Sequence, residues 1–278
     1  MRRRVLIGVL VLMGVFGAVV GGMYAFQRSL IYLPSPGPLP SAADVLPGGK
    51  DVTLRTADGL DLTAWFFPAH GSDAKAGDAP AVLFAPGNGG NRGGRVELAQ
   101  SLTESGLSVL LLEYRGYGGN PGSPDESGLA LDVRAGHTYL VGERGVRPGR
   151  LLYVGESLGC GVITELAVEH PPAGMLLRSP FVDLAATAQV HYPFLPVRAL
   201  LKDRYPVAEN VRRLRDVPVV VIYGSADSIV PPEQSMQVAL AAGGSAVEVT
   251  GADHNDRELL DGDEIVTSMV DLAKQARE

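Results

Sequence analysis

The sequence predicts an α/β fold, a mostly parallel sheet with helices on both faces, preceded by one transmembrane helix. Three observations predict it. Continuous apolar runs such as Ala-Val-Leu-Phe-Ala at 81–85 lack the alternation of a half-exposed strand, and so read as strands buried on both faces. Segments with helically spaced apolar residues separate these runs, the strand–helix alternation of a parallel sheet. Finally, residues 5–26 form an uncharged stretch of 22 residues behind Arg2, Arg3 and Arg4. At ~1.5 Å per residue that stretch is long enough for a hydrocarbon core of ~30 Å.

The N-terminus comes first in the chain. A cleaved signal peptide has a shorter apolar region and a small-x-small cleavage site, and the region around Met23, Tyr24 and Ala25 suits neither. Residues 5–26 are therefore expected to stay as a signal-anchor. The arginines hold residues 1–4 in the cytoplasm and put the rest of the chain on the extracytoplasmic side. Tyr24, Phe26 and Tyr32 would sit at the outer interface. Residues 27–49 carry Pro34, Pro36, Pro38, Pro40 and Pro47, and read as a stiff, non-helical linker.

The folded domain is expected over residues 50–278, long enough to bury a sizeable core. Residues 51–56 and 62–68 alternate around Asp58-Gly59 as an antiparallel hairpin. Residues 70–80 are small and polar, a loop. The 81–85 strand leads through a glycine-rich loop into a helix marked by Val96, Ala99, Leu102 and Thr103. A strand at 109–112, a Gly/Pro loop and a helix over 127–141 follow. Next come a strand from Leu151, its helix with Ile163, Leu166 and Ala167 inward, and a strand at 174–177. Residues 180–214 are irregular and rich in bulky apolar side chains, a small helical insertion like a cap. Strands at 217–223 and 246–249 flank a helix at 232–241, and a last helix buries Ile265, Met269, Val270 and Ala273.

The chemistry centres on Gly155-Glu156-Ser157-Leu158-Gly159. A Gly-x-Ser-x-Gly between a strand and a helix is a nucleophile elbow, a turn sharp enough to expose the serine hydroxyl above the sheet. A serine hydroxyl needs a histidine to take its proton and a carboxylate to orient that histidine. Of five histidines, only His254 lies in a short loop after the last strand, and Asp227 lies in the matching loop after the preceding strand. Both loops open on the sheet edge where Ser157 sits. The oxyanion donors are expected to be the N–H groups of Leu158, at the helix start, and Asn88, in the loop after the 81–85 strand. Cys160 reads as a small buried residue, and Asp253 as a neighbour pointing away from His254. No histidine pair has zinc-ligand spacing, so no metal and no cofactor are expected. The net charge of −7, with no basic run beyond residue 4, argues against nucleic acid.

The chain resembles the serine hydrolases of the α/β-hydrolase superfamily, closest to the membrane-anchored ABHD13 and Bem46-like group. The resemblance rests on residues 27–32 (QRSLIY), 87–91 (GNGGN), 114–118 (YRGYG), 155–159 (GESLG), 201–205 (LKDRY) and 254–256 (HND). It implies the α/β-hydrolase fold, the triad Ser157, Asp227 and His254, and oxyanion roles for Asn88 and Leu158. One departure is Pro86, where the group usually has histidine. The expected activity is cleavage of small-molecule carboxylic esters or thioesters, including acyl or lipid substrates, through an acyl-serine intermediate. A peptidase or amidase is a second reading, because a triad does not choose the leaving group. A membrane-tethered binding protein without turnover is a third. Oligomeric state is not legible in the sequence.

Overall fold

The computed structural model describes residues 2–70 and 79–276. Of the loop expected at 70–80, residues 71–78 lie outside the described residues. Eight segments form the main sheet: β1 (Lys50–Arg55), β2 (Asp61–Phe67), β3 (Ala81–Ala85), β4 (Ser108–Leu111), β5 (Leu151–Glu156), β6 (Gly174–Arg178), β7 (Val219–Gly224) and β8 (Ser245–Val249). Their order across the sheet is β1-β2-β4-β3-β5-β6-β7-β8. Only β2 runs against its neighbours; the pairings from β4 through β8 are parallel.

Burial explains the unbroken apolar runs. Along β3, Ala81, Leu83 and Ala85 face one core and Val82 and Phe84 the other. The first core is closed by four helices: α3 (Glu126–Thr138), α4 (Leu158–Glu169), α7 (Val207–Arg213) and α8 (Pro232–Ala242). The second is closed by α2 (Val96–Glu104) and α9 (Asp263–Gln275). The insertion supplies three short helices, α5 (Leu184–His191), α6 (Val197–Leu200) and α7.

The N-terminal helix, α1, runs Arg2–Ile31 and is long and apolar enough to cross a membrane. It continues past Phe26, where the linker was expected, because its next polar residues have partners on the folded domain. Gln27 exchanges hydrogen bonds with the Leu200 carbonyl and the Lys202 N–H, and Arg28 pairs with Asp203 and Asp125. The proline-rich stretch after it lies on the domain too. Leu33–Pro34 pairs with Gly89–Gly90, and a helical turn, Ala42–Val45, forms where Ser41 Oγ accepts from Asp44 N–H. The prolines restrict their own positions; they leave Ala42 to Val45 free to turn.

Candidate active site

Parallel pairing aims the ends of β5, β7 and β8 at one edge of the sheet, and a sharp turn follows β5. Ser157 has φ 51° and ψ −112°, a conformation that side chains adopt only under local constraint. Two glycines make the turn possible. A Cβ on Gly159 would sit 2.0 Å from the Ala85 carbonyl oxygen, and one on Gly155 would sit 2.8 Å from Cys160 Cα. The serine N–H donates to the Arg178 carbonyl at 2.9 Å, which ties the turn to β6.

The three residues expected to act together are brought together. Ser157 Oγ lies 3.1 Å from His254 Nε2, and His254 Nδ1 lies 2.7 Å from Asp227 Oδ2. All three are buried. With its proton on Nδ1, the imidazole leaves Nε2 bare to accept from the serine. Asp227 Oδ1 accepts from the Ile229 and Val230 N–H groups, so the carboxylate is fixed with its other oxygen toward the ring. Burial pushes the Asp227 carboxyl up, but the imidazole and those two amides outweigh it and hold it below its usual range. Asp253 points away from the ring, as expected. It accepts from Ser228 N–H, Ser228 Oγ and His254 N–H, bracing the two loops against each other. Asp256 Oδ2 accepts from Asp253 N–H, because the loop curls back on itself before Arg257.

Asn88 and Leu158 line one cavity with Ser157, and among the described residues neither N–H has a protein acceptor. Asn88 is held on three sides. Its side-chain amide donates to the Ile31 carbonyl at 2.7 Å, and its own carbonyl accepts from Leu33 N–H and the Tyr117 hydroxyl. Pro86 does not leave the loop unsupported: its carbonyl accepts the Tyr114 hydroxyl at 2.9 Å.

Sequence reasoning missed the buried ionic network beneath the turn. Glu156, the residue before the serine, pairs with Arg95 and with Arg178 Nη2 at 2.8 Å. Arg178 Nη1 then donates to the His254 carbonyl at 2.6 Å. Burial would raise the Glu156 carboxyl, but Arg178 and Arg95 bring it down to about 2. One arginine thus links the serine turn to the histidine loop. Glu156 and Arg178 end two adjacent buried strands and are register partners, a pairing that only the folded sheet reveals.

The family model described as the alpha/beta hydrolase fold matches residues 80–193, which include Ser157 but neither Asp227 nor His254. The uncharacterized protein Rv2307c of Mycobacterium tuberculosis is 51% identical over 89% of this chain and 87% of its own length. The chain belongs to the α/β-hydrolase family. Within it, protein bem46 of Schizosaccharomyces pombe is 27% identical over 87% of this chain and 85% of its own. The esterase Pf2001 of Pyrococcus furiosus superposes on this hydrolase with a TM-score of 0.69, at 18% identity, covering 88% of this chain and 98% of its own.

In this hydrolase the cavity above Ser157 measures about 250 Å³ and is mostly apolar. The insertion contributes Leu184, Leu195 and Leu200, and also His191, whose Nε2 is 2.8 Å from the Ile229 carbonyl. No sequence signal distinguished His191 from a surface histidine. Cys160 is buried, donates its thiol to the Gly155 carbonyl, and has its pKa pushed far up by burial. Its environment is that of a core residue and not of a nucleophile.

Proposed function

We propose that the protein is a membrane-anchored serine hydrolase that cleaves carboxylic esters or thioesters through an acyl-serine intermediate. The observation that carries this reading is the hydrogen-bonded series Ser157–His254–Asp227 at the floor of an apolar cavity. His254 Nε2 takes the serine proton as Oγ attacks the acyl carbonyl, and Asp227 stabilises the imidazolium that results. Leu158 and Asn88 N–H groups stabilise the oxyanion. Collapse breaks the bond to the alcohol or thiol, which leaves with the proton from His254. Water, activated by the same imidazole, then releases the acid and restores Ser157. The apolar cavity suits the acyl part of an ester better than a peptide, whose backbone groups would go unpaired there.

In this reading α1 is the anchor, residues 1–4 are cytoplasmic and the hydrolase domain, 50–278, lies outside. Protease added to the outer face of the sealed membrane should digest the domain. A fluorophosphonate probe should label the wild type and not Ser157→Ala, whose turnover of short aryl esters should fall by about 10⁴-fold or more with little change in melting temperature. Equal labelling of both proteins, or ester turnover retained by the variant, would remove Ser157 from the nucleophile's role.

A further inference from the structure

The helix that qualifies as a membrane span is also a wall of the cavity holding Ser157. Met23, Tyr24, Gln27, Leu30 and Ile31 line that cavity, and Met23 and Tyr24 belong to the uncharged run 5–26 itself. Val20 and Met23 pack on a small apolar cluster of the insertion, Ala185, Leu195 and Val197. The junction is fixed by polar contacts. Arg28 reaches Asp203 through Nε and Nη2 at 3.3 and 3.2 Å, and the Tyr32 hydroxyl donates to Asp203 at 2.9 Å. The mouth of the cavity is apolar on both sides: Leu30 of α1 and Tyr192 of the insertion line it while remaining 55% and 39% exposed.

We propose that α1 forms one side of the acyl-binding pocket, and that the substrate is a single-chain acyl ester or thioester entering sideways from the outer half of the bilayer. This rests on the serine-hydrolase reading and names the substrate class of that same site. A cavity of about 250 Å³ is below the ~300–1,000 Å³ usual for ligand pockets, which suits one chain and not two. A chain passing from bilayer to cavity along Leu30 and Tyr192 stays in apolar surroundings. Through water, each exposed methylene would reduce its partition about fourfold.

The test uses the full chain in phosphatidylcholine vesicles and an alkyl fluorophosphonate with a photoreactive group at the tail end. After capture on Ser157 and irradiation, cross-links should fall on residues 23–31 and on the insertion. An adduct whose cross-links never reach 23–31 overturns the proposal while leaving the serine hydrolase standing. Absence of any Ser157 adduct removes the hydrolase reading itself, and this proposal with it. A second arm separates the sources of the substrate. A long-chain fluorogenic ester in the same vesicles as the enzyme should turn over at least tenfold faster than one held in separate vesicles; equal rates overturn sideways entry. In a third, Met23→Trp should shorten the preferred acyl chain in an ester series, and an unchanged preference counts against the helix as a wall.

Discussion

The two walls of the cavity are built by different means. On one side Ser157, Asp227 and His254 project from strand ends whose register is set by parallel pairing, and a buried arginine joins two of their loops. On the other, α1 and the insertion meet through apolar contact, with polar bonds at the junction from Gln27, Arg28 and Tyr32. Reacting atoms tolerate little misplacement, so they are fixed by the stiffest part of the fold. An apolar chain is recognised by area and needs no such rigidity. In the proposed reading, chemistry and selectivity thus reside in separate parts of the chain, and variants can address them one at a time.

The strongest challenge to the sheet-edge wall is the choice of carboxylate. Asp227→Asn should lower kcat by about 10³–10⁴-fold, because an amide favours the wrong imidazole tautomer. Asp253→Asn, which only loosens a brace between loops, should cost less than about tenfold. Both are read as kcat on one short ester with purified, folded protein. A crippled Asp253→Asn beside an active Asp227→Asn would assign the role to the other aspartate.

Glu156 tests whether that wall depends on buried charge. Its carboxyl lies at about 2, against an ordinary value of 4.5, so as pH falls the unfolded chain takes up the proton first. The contribution is therefore complete above about 4.5 and is lost as pH drops toward 2. Glu156→Gln should strand Arg178 and Arg95, destabilise the fold by about 3–5 kcal/mol at neutral pH, and flatten the acid dependence across that window. Denaturant unfolding at a series of pH values measures both.

A smaller effect sharpens the boundary between the walls. Asn88→Ala removes the bond to the Ile31 carbonyl, the point where α1 touches the loop proposed to supply an oxyanion donor. The loss, about 1 kcal/mol, should lower kcat on a short ester about fivefold. Tyr117→Phe, which removes one of the two donors to the Asn88 carbonyl, should act in the same direction.

The sheet-edge wall was legible in the sequence because its signals are local. Gly155 and Gly159 flank the serine, and the aspartate and histidine each follow a short apolar run. The continuous apolar strands announced burial on both faces. The other wall was not legible. Met23, Leu30 and Tyr192 are apolar residues whose meeting depends on how α1 docks, and no spacing along the chain encodes that. Gln27 and Arg28 read as the start of a linker, while their partners Leu200, Lys202, Asp203 and Asp125 lie far along the chain. Glu156 and Arg178 were hidden for another reason: charged residues at the ends of apolar strands read as solvent-facing until their pairing is known.

That α1 passes into the domain without a break also bears on how the protein moves. A flexible tether lets a catalytic domain tumble above its membrane and sample many heights. Here the five helical residues after Phe26 span only ~7 Å at ~1.5 Å each, and the last of them is bonded to the loop beside Ser157. In the proposed topology, with α1 spanning the membrane, domain and helix would turn as one body, and the tilt of the helix would set the attitude of the cavity mouth. Membrane thickness, which changes that tilt, would then act as a control on substrate access.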